Sequence, residues 1–177
     1  MRPEAFSRPI VLVGDEWIAG LDVVRYLPAW PVLNKGLPGA DLGALSARLF
    51  QDALRLFPDL VVLCAGAHDL RKGRTEEAIT GDLEAIIGRL LGASRPIRTW
   101  LCAVPPLPAS WSPPERVRAL NRRLQGLAEA YGLVFLDLHK LWADPKGALR
   151  EAYRGDPISP AAYRVWGELL EAHLRAL

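Results

Sequence analysis

The sequence predicts a three-layer α/β/α fold on a five-stranded parallel sheet, and three observations predict it. Short, continuously apolar runs of strand length recur along the chain. Segments whose apolar residues are spaced by three and four lie between them, and polar, glycine-bearing turns follow several of the runs. A run apolar at every position marks a strand buried on both faces, and strands alternating with helices imply right-handed crossovers within a parallel sheet.

The elements follow in order. Residues 9–13 form the first apolar run and end at Gly14. A weaker strand is expected at 30–33, where Pro31 lacks an N–H and suits a sheet edge. Residues 42–57 show helical spacing, with Asp41 placed to cap the first turn. The run 60–64 is the next strand and 76–91 the next helix. Residues 97–104 are a strand followed by Pro105 and Pro106, and 114–131 a helix with Pro114 in its first turn. Residues 133–136 are the last strand, and 160–177 the last helix, with Ser159 as its cap.

Composition limits the function classes. The chain has 177 residues, 50% hydrophobic and 24% charged, with a formal net charge of +2. That excludes disordered, collagenous and strongly basic chains, and no repeat or linker divides the sequence, so one domain spanning 1–177 is expected. The cysteines, Cys64 and Cys102, sit singly in apolar runs and are expected to be reduced and buried. Residues 1–9 lack the apolar stretch of a leader, and no run approaches the ~18 apolar residues of a membrane span, so a soluble, cytoplasmic protein is expected.

In an open parallel sheet, chemistry belongs at the carboxyl ends of the strands. Four polar blocks stand there: Gly14-Asp15-Glu16-Trp17, Asn34-Lys35-Gly36-Leu37-Pro38-Gly39, Gly66-Ala67-His68-Asp69, and Arg154-Gly155-Asp156-Pro157-Ile158-Ser159 leading into the last helix. In order, spacing and preceding strands, these blocks resemble those of the SGNH, or GDSL, hydrolases: G-D-S, N-x-G-x-x-G, G-x-N-D and D-x-x-H. The resemblance spans nearly the whole chain and implies a flavodoxin-like α/β/α fold and ester-type substrates such as acetyl esters, lipids or thioesters.

The departures carry the functional argument. Glu16 stands where the family has its nucleophilic serine, and His68 where it has the oxyanion-hole asparagine. Gly36 is read as matching the oxyanion-hole glycine. The last block fits in two registers, with Arg154 and Pro157, or Asp156 and Ser159, at the family's Asp and His; neither supplies an imidazole. A serine hydroxyl needs an adjacent base oriented by a third group, and this chain offers no such set. His139 and His173 are read as structural or solvated.

Three readings follow. In the first, the chain is a pseudoenzyme or ligand-binding protein, with Glu16 filling the oxyanion hole through its own N–H, the Gly36 N–H and His68. In the second, Glu16 and His68 form an altered hydrolytic pair acting on an ester-type substrate. In the third, the arginines of the 114–131 helix, Arg116, Arg118, Arg122 and Arg123, serve an interaction surface, although a solvated face explains them more simply. Asp15, Trp17, Asn34, Asp69, Trp111 and Arg154 are the expected binding or loop-shaping residues. A metal held by Asp15, Glu16, His68 and Asp69 is the weaker alternative. No cofactor, metal, nucleic acid or membrane partner is expected, and a small acyl- or ester-type ligand is.

Overall fold

The computed structural model describes residues 6–177, so the expectation about Met1 to Ala5 lies outside the described residues. Five strands form one parallel sheet: β1 (Ile10–Gly14), β2 (Val32–Gly36), β3 (Leu60–Cys64), β4 (Arg98–Cys102) and β5 (Val134–Leu136), in the order β2-β1-β3-β4-β5. Every residue of β1 and β3 is buried, as their unbroken apolar runs require of the central strands. Each such valine, leucine or isoleucine contributes about 1.5–3 kcal/mol by leaving water.

The helices are α1 (Glu16–Ala19), α2 (Val23–Tyr26), α3 (Leu42–Asp52), α4 (Ala67–Arg71), α5 (Glu76–Leu91), α6 (Pro114–Tyr131), α7 (Leu138–Trp142) and α8 (Pro160–Arg175). Helices α3, α5 and α6 pack side by side in one layer, and α2 and α7 pack against α8 in the other. The expected caps form: the Asp41 carboxylate accepts from Ala44 N–H at 2.9 Å and Ser159 Oγ from Ala162 N–H at 3.3 Å. Cys64 and Cys102 are buried free thiols, and the neighbouring Cys102 thiol, together with burial, pushes the Cys64 thiol well above the ordinary cysteine range.

Several boundaries differ from the sequence reading, the strand expected at 97–104 among them, which spans only Arg98–Cys102. The helix expected over 42–57 stops at Asp52, because Ala53 leaves helical geometry and Leu54–Leu56 tighten into a 3-10 turn ending at Phe57, whose φ is 48°. The edge strand starts at Val32 rather than Trp30. Pro31 precedes it and supplies only its carbonyl, which accepts from Ile10 N–H at 2.9 Å. The single-turn helices α1, α4 and α7 are too short for a periodic signal; α1 and α7 are capped by the Asp15 and Asp137 side chains, and α4 starts after Gly66 without a side-chain cap. Among the described residues no helix is long and apolar enough to cross a membrane.

Candidate functional site

Strand register brings the first three blocks together. Gly14 is level with Gly36 on one side and with Cys64 on the other, so the turns leaving β1, β2 and β3 emerge side by side. The Leu37 N–H donates to the Gly14 carbonyl at 2.8 Å, fastening the second turn to the first. Helix α1 begins directly at Glu16, and α4 begins after Gly66, whose φ of 110° suits a glycine and swings His68 towards β1.

At this junction His68 Nε2 lies 2.7 Å from Glu16 Oε2, and the Gly39 N–H donates to the same oxygen at 3.1 Å. The His68 side chain is 8% exposed and that of Glu16 22%. Burial acts to raise Glu16, but the His68 bond, its own N–H and the Gly39 N–H outweigh it and hold the carboxyl below the usual glutamate range. Asp15 beneath it behaves oppositely. Burial, reinforced by the Glu16 charge, raises it well above the usual aspartate range, while its carboxyl accepts the capping Trp17 N–H at 3.2 Å.

These shifts predict a pH dependence with a definite sign. A group held low in the folded state adds stability that is present above its unfolded value and lost as pH falls through its folded value. The advantage of wild type over Glu16→Gln in urea unfolding is therefore expected at about pH 6, and to shrink as pH is lowered through the normal glutamate range near about 4.3. An advantage constant from about pH 3 to 7 would contradict the assignment of Glu16 as a stabilised carboxylate.

Above the pair opens a cleft of about 520 Å³. Its walls include Trp17, Leu107, Trp111 and Leu149, and residues 154–157 close the far side. Trp17 and Trp111 meet edge to face at 5.7 Å, Trp111 lies 4.9 Å from the His68 ring, and the Arg71 guanidinium sits 4.4 Å over Trp111. The prolines flanking Leu107, Pro106 and Pro108, also face the cleft, so its aromatic wall is held by a stiff segment. Trp17 is both core and wall, being only 4% exposed.

The remaining sequence candidates fall into place as follows. Arg154 stands at the cleft mouth, paired with Glu151 at 2.9 Å, and Asp156 and Pro157 line the cleft beside it. Ser159 turns away, donating to the Ala152 carbonyl at 3.1 Å while capping α8. Gly36 does not reach Glu16. Its N–H donates to Asn34 Oδ1 at 2.9 Å, and the N–H facing the carboxylate is that of Gly39, the later glycine of the same block. Gly39 sits at φ 77° in the turn after β2, and two glycines in one block were the sequence signal that this position needed weighing.

Asn34 and Asp69 are consumed by the fold rather than open to a ligand. Asn34 Nδ2 donates to the carbonyls of Ile18 at 2.6 Å and Leu21 at 3.0 Å. Asp69 is fully buried, accepting from Leu42 N–H at 3.0 Å and from Arg74 at 2.7 Å. Asp15, Glu16 and His68 do offer donor atoms within 4.8 Å of one another, the spacing a metal ion needs, but Asp69 is not of that group and the Glu16 and His68 donors are engaged with each other.

The other histidines lie elsewhere. His139 faces shallow grooves beside Arg118 and Asp137 near the β5 edge, its imidazole pushed below the usual range mainly by burial. His173 rests against Trp100 at 5.8 Å, its Nδ1 2.9 Å from the Leu169 carbonyl. On α6, Arg116 pairs with Glu76, Arg118 with Glu115 and Arg123 with Glu77, which leaves Arg122 as the one of the four arginines without a carboxylate among the described residues.

The comparisons with known proteins agree with this fold. A GDSL-like lipase from Bacteroides thetaiotaomicron has the same fold, with a TM-score of 0.86 at 21% identity over 100% of this chain and 93% of that one. A lipase/acylhydrolase from Enterococcus faecalis superposes with a TM-score of 0.80 at 27% identity over 96% of each chain. No curated protein matches. The model of the GDSL-like lipase/acylhydrolase family matches residues 15–174, from the turn after β1 to the end of α8, and the chain belongs to that family.

Proposed function

We propose that the chain works as one domain that binds a small ligand with an apolar, acyl- or ester-type body and no longer carries out Ser–His–Asp ester hydrolysis. One observation carries this reading: Glu16 Oε2 accepts from both His68 and the Gly39 N–H. The carboxylate thereby takes up the donors that would otherwise face a developing oxyanion. Glu16 is a weak candidate for a general base, because a carboxyl held low by three donors gives up little driving force for proton abstraction near neutrality. The apolar walls of Trp17, Leu107, Trp111 and Leu149 suit an acyl or aromatic body.

Restoring the hydroxyl is the test of the missing machinery. Glu16→Ser is expected to leave turnover of p-nitrophenyl acetate within about tenfold of wild type, since a serine hydroxyl lacks the two carbons that carry the Glu16 carboxylate to His68, Ser159 is committed to capping α8 and His139 lies beyond the cleft. A gain of ~10³-fold or more, the scale of general-base assistance, would overturn the reading.

A further inference from the structure

At the opposite end of the sheet from the cleft, a groove of about 630 Å³ lies where the chain enters β3 and β4. It is bordered by the 3-10 turn before β3, by α5 and by residues 92–97. Phe50 and Phe57 stand on it 59% and 49% exposed, an unusual outlay of aromatic surface for a protein with a well-filled core. Its charge is one-sided. The lining contains Arg55, Arg89 and Arg95 and no acidic residue, and among the described residues no carboxylate forms an ion pair with any of the three.

Each of these arginines is held by a neutral partner that leaves donors free. Arg55 Nε donates to the Gln51 carbonyl at 2.9 Å, and Arg89 Nη1 to the Ser46 carbonyl at 2.8 Å and Ser46 Oγ at 3.1 Å. The Arg95 guanidinium sits 5.4 Å over the Phe57 ring. Elsewhere on the surface Arg48, Arg74, Arg116 and Arg123 have carboxylates. Guanidinium forks fixed around an exposed aromatic floor are arranged for carboxylates that arrive with apolar side chains between them.

We propose that this groove docks an acidic amphipathic peptide segment of a partner protein, its apolar side chains among Phe50, Leu54 and Phe57 and its carboxylates on Arg55, Arg89 and Arg95. A concave site favours a peptide over a bilayer. Beside the phenylalanines, Gly88 and Gly92 contribute no side chain, and the hollow they leave admits an inserted side chain where a planar lipid surface would bridge across it.

The test is fluorescence anisotropy with a labelled amphipathic helical peptide bearing leucines on one face and flanking glutamates, beside an isomer with lysines in place of the glutamates. The glutamate peptide is expected to bind about tenfold or more tightly than the lysine peptide, and less tightly as salt is raised. The triple variant Arg55→Glu, Arg89→Glu, Arg95→Glu is expected to lose that binding about tenfold. Phe57→Asn is expected to do the same with its thermal unfolding intact, because asparagine tolerates the left-handed backbone at this position. Equal binding of the two peptides, or full binding by the triple variant, would overturn the proposal. So would binding to phosphatidylglycerol vesicles without binding to the glutamate peptide, or a wild-type dimer that Arg89→Glu dissolves.

Discussion

Gly36→Ala is expected to cost about 3 kcal/mol or more of unfolding free energy, a large share of the ~5–15 kcal/mol that separates a folded domain from its unfolded chain. A Cβ at this position would lie 2.6 Å from Ala19 Cα and 2.8 Å from the Ile18 carbonyl carbon. Both are backbone, so neither can move aside as a flexible side-chain tip can. The same contact explains why Asn34 stands two residues earlier: its side chain bonds the Ile18 and Leu21 carbonyls and the Gly36 N–H, sealing the α1 segment onto the end of β2. Urea unfolding of the variant measures the loss, and a value within about 0.5 kcal/mol of wild type would mean that Gly36 is not a packing glycine.

Asp69→Ala is expected to be nearly as damaging, by about 3 kcal/mol. The Asp69 carboxylate ties α4 to the first turn of α3 through the Leu42 N–H and holds Arg74, which also bonds Asp82 at 2.7 Å. Truncation leaves a buried N–H without an acceptor and a cation without its inner partner. Asp69→Asn keeps an acceptor for Leu42 and is expected to recover part of the loss. Thermal or urea unfolding of the pair checks this, and equal stability of Asp69→Ala and wild type would contradict it.

The strands were legible because burial on both faces writes itself as unbroken apolar runs. Residues 10–14 and 60–64 sit at the sheet centre for that reason, and Pro31 marked the edge. Capped helices such as α3 and α8 were legible at their starts, since Asp41 and Ser159 have one obvious use there. The end of α3 was not, because the apolar spacing continues through Leu54 and Leu56 into a 3-10 turn that is still partly buried.

In the site, sequence order sufficed to place Glu16 beside His68, since adjacent parallel strands deliver both residues to one edge. It did not suffice to choose between Gly36 and Gly39. That choice depends on where β2 stops and its turn begins, and a strand ending in Asn-Lys-Gly carries no periodicity to mark the boundary. Nor could it foresee that Asn34 and Asp69 would spend their polar atoms on backbone groups and an arginine, because those partners come from segments 5 to 27 residues away.

We propose that the cleft is catalytically empty towards esters because the Glu16 carboxylate occupies the donors that would face an oxyanion. The most direct measurement is turnover of p-nitrophenyl acetate by purified wild type beside Glu16→Gln from about pH 5 to 9, a range that spans histidine titration. The same weak rate for both proteins at every pH is the predicted result. A wild-type rate clearly above that of Glu16→Gln, with the advantage lost in the variant, would contradict it and make Glu16 and His68 a working hydrolytic pair.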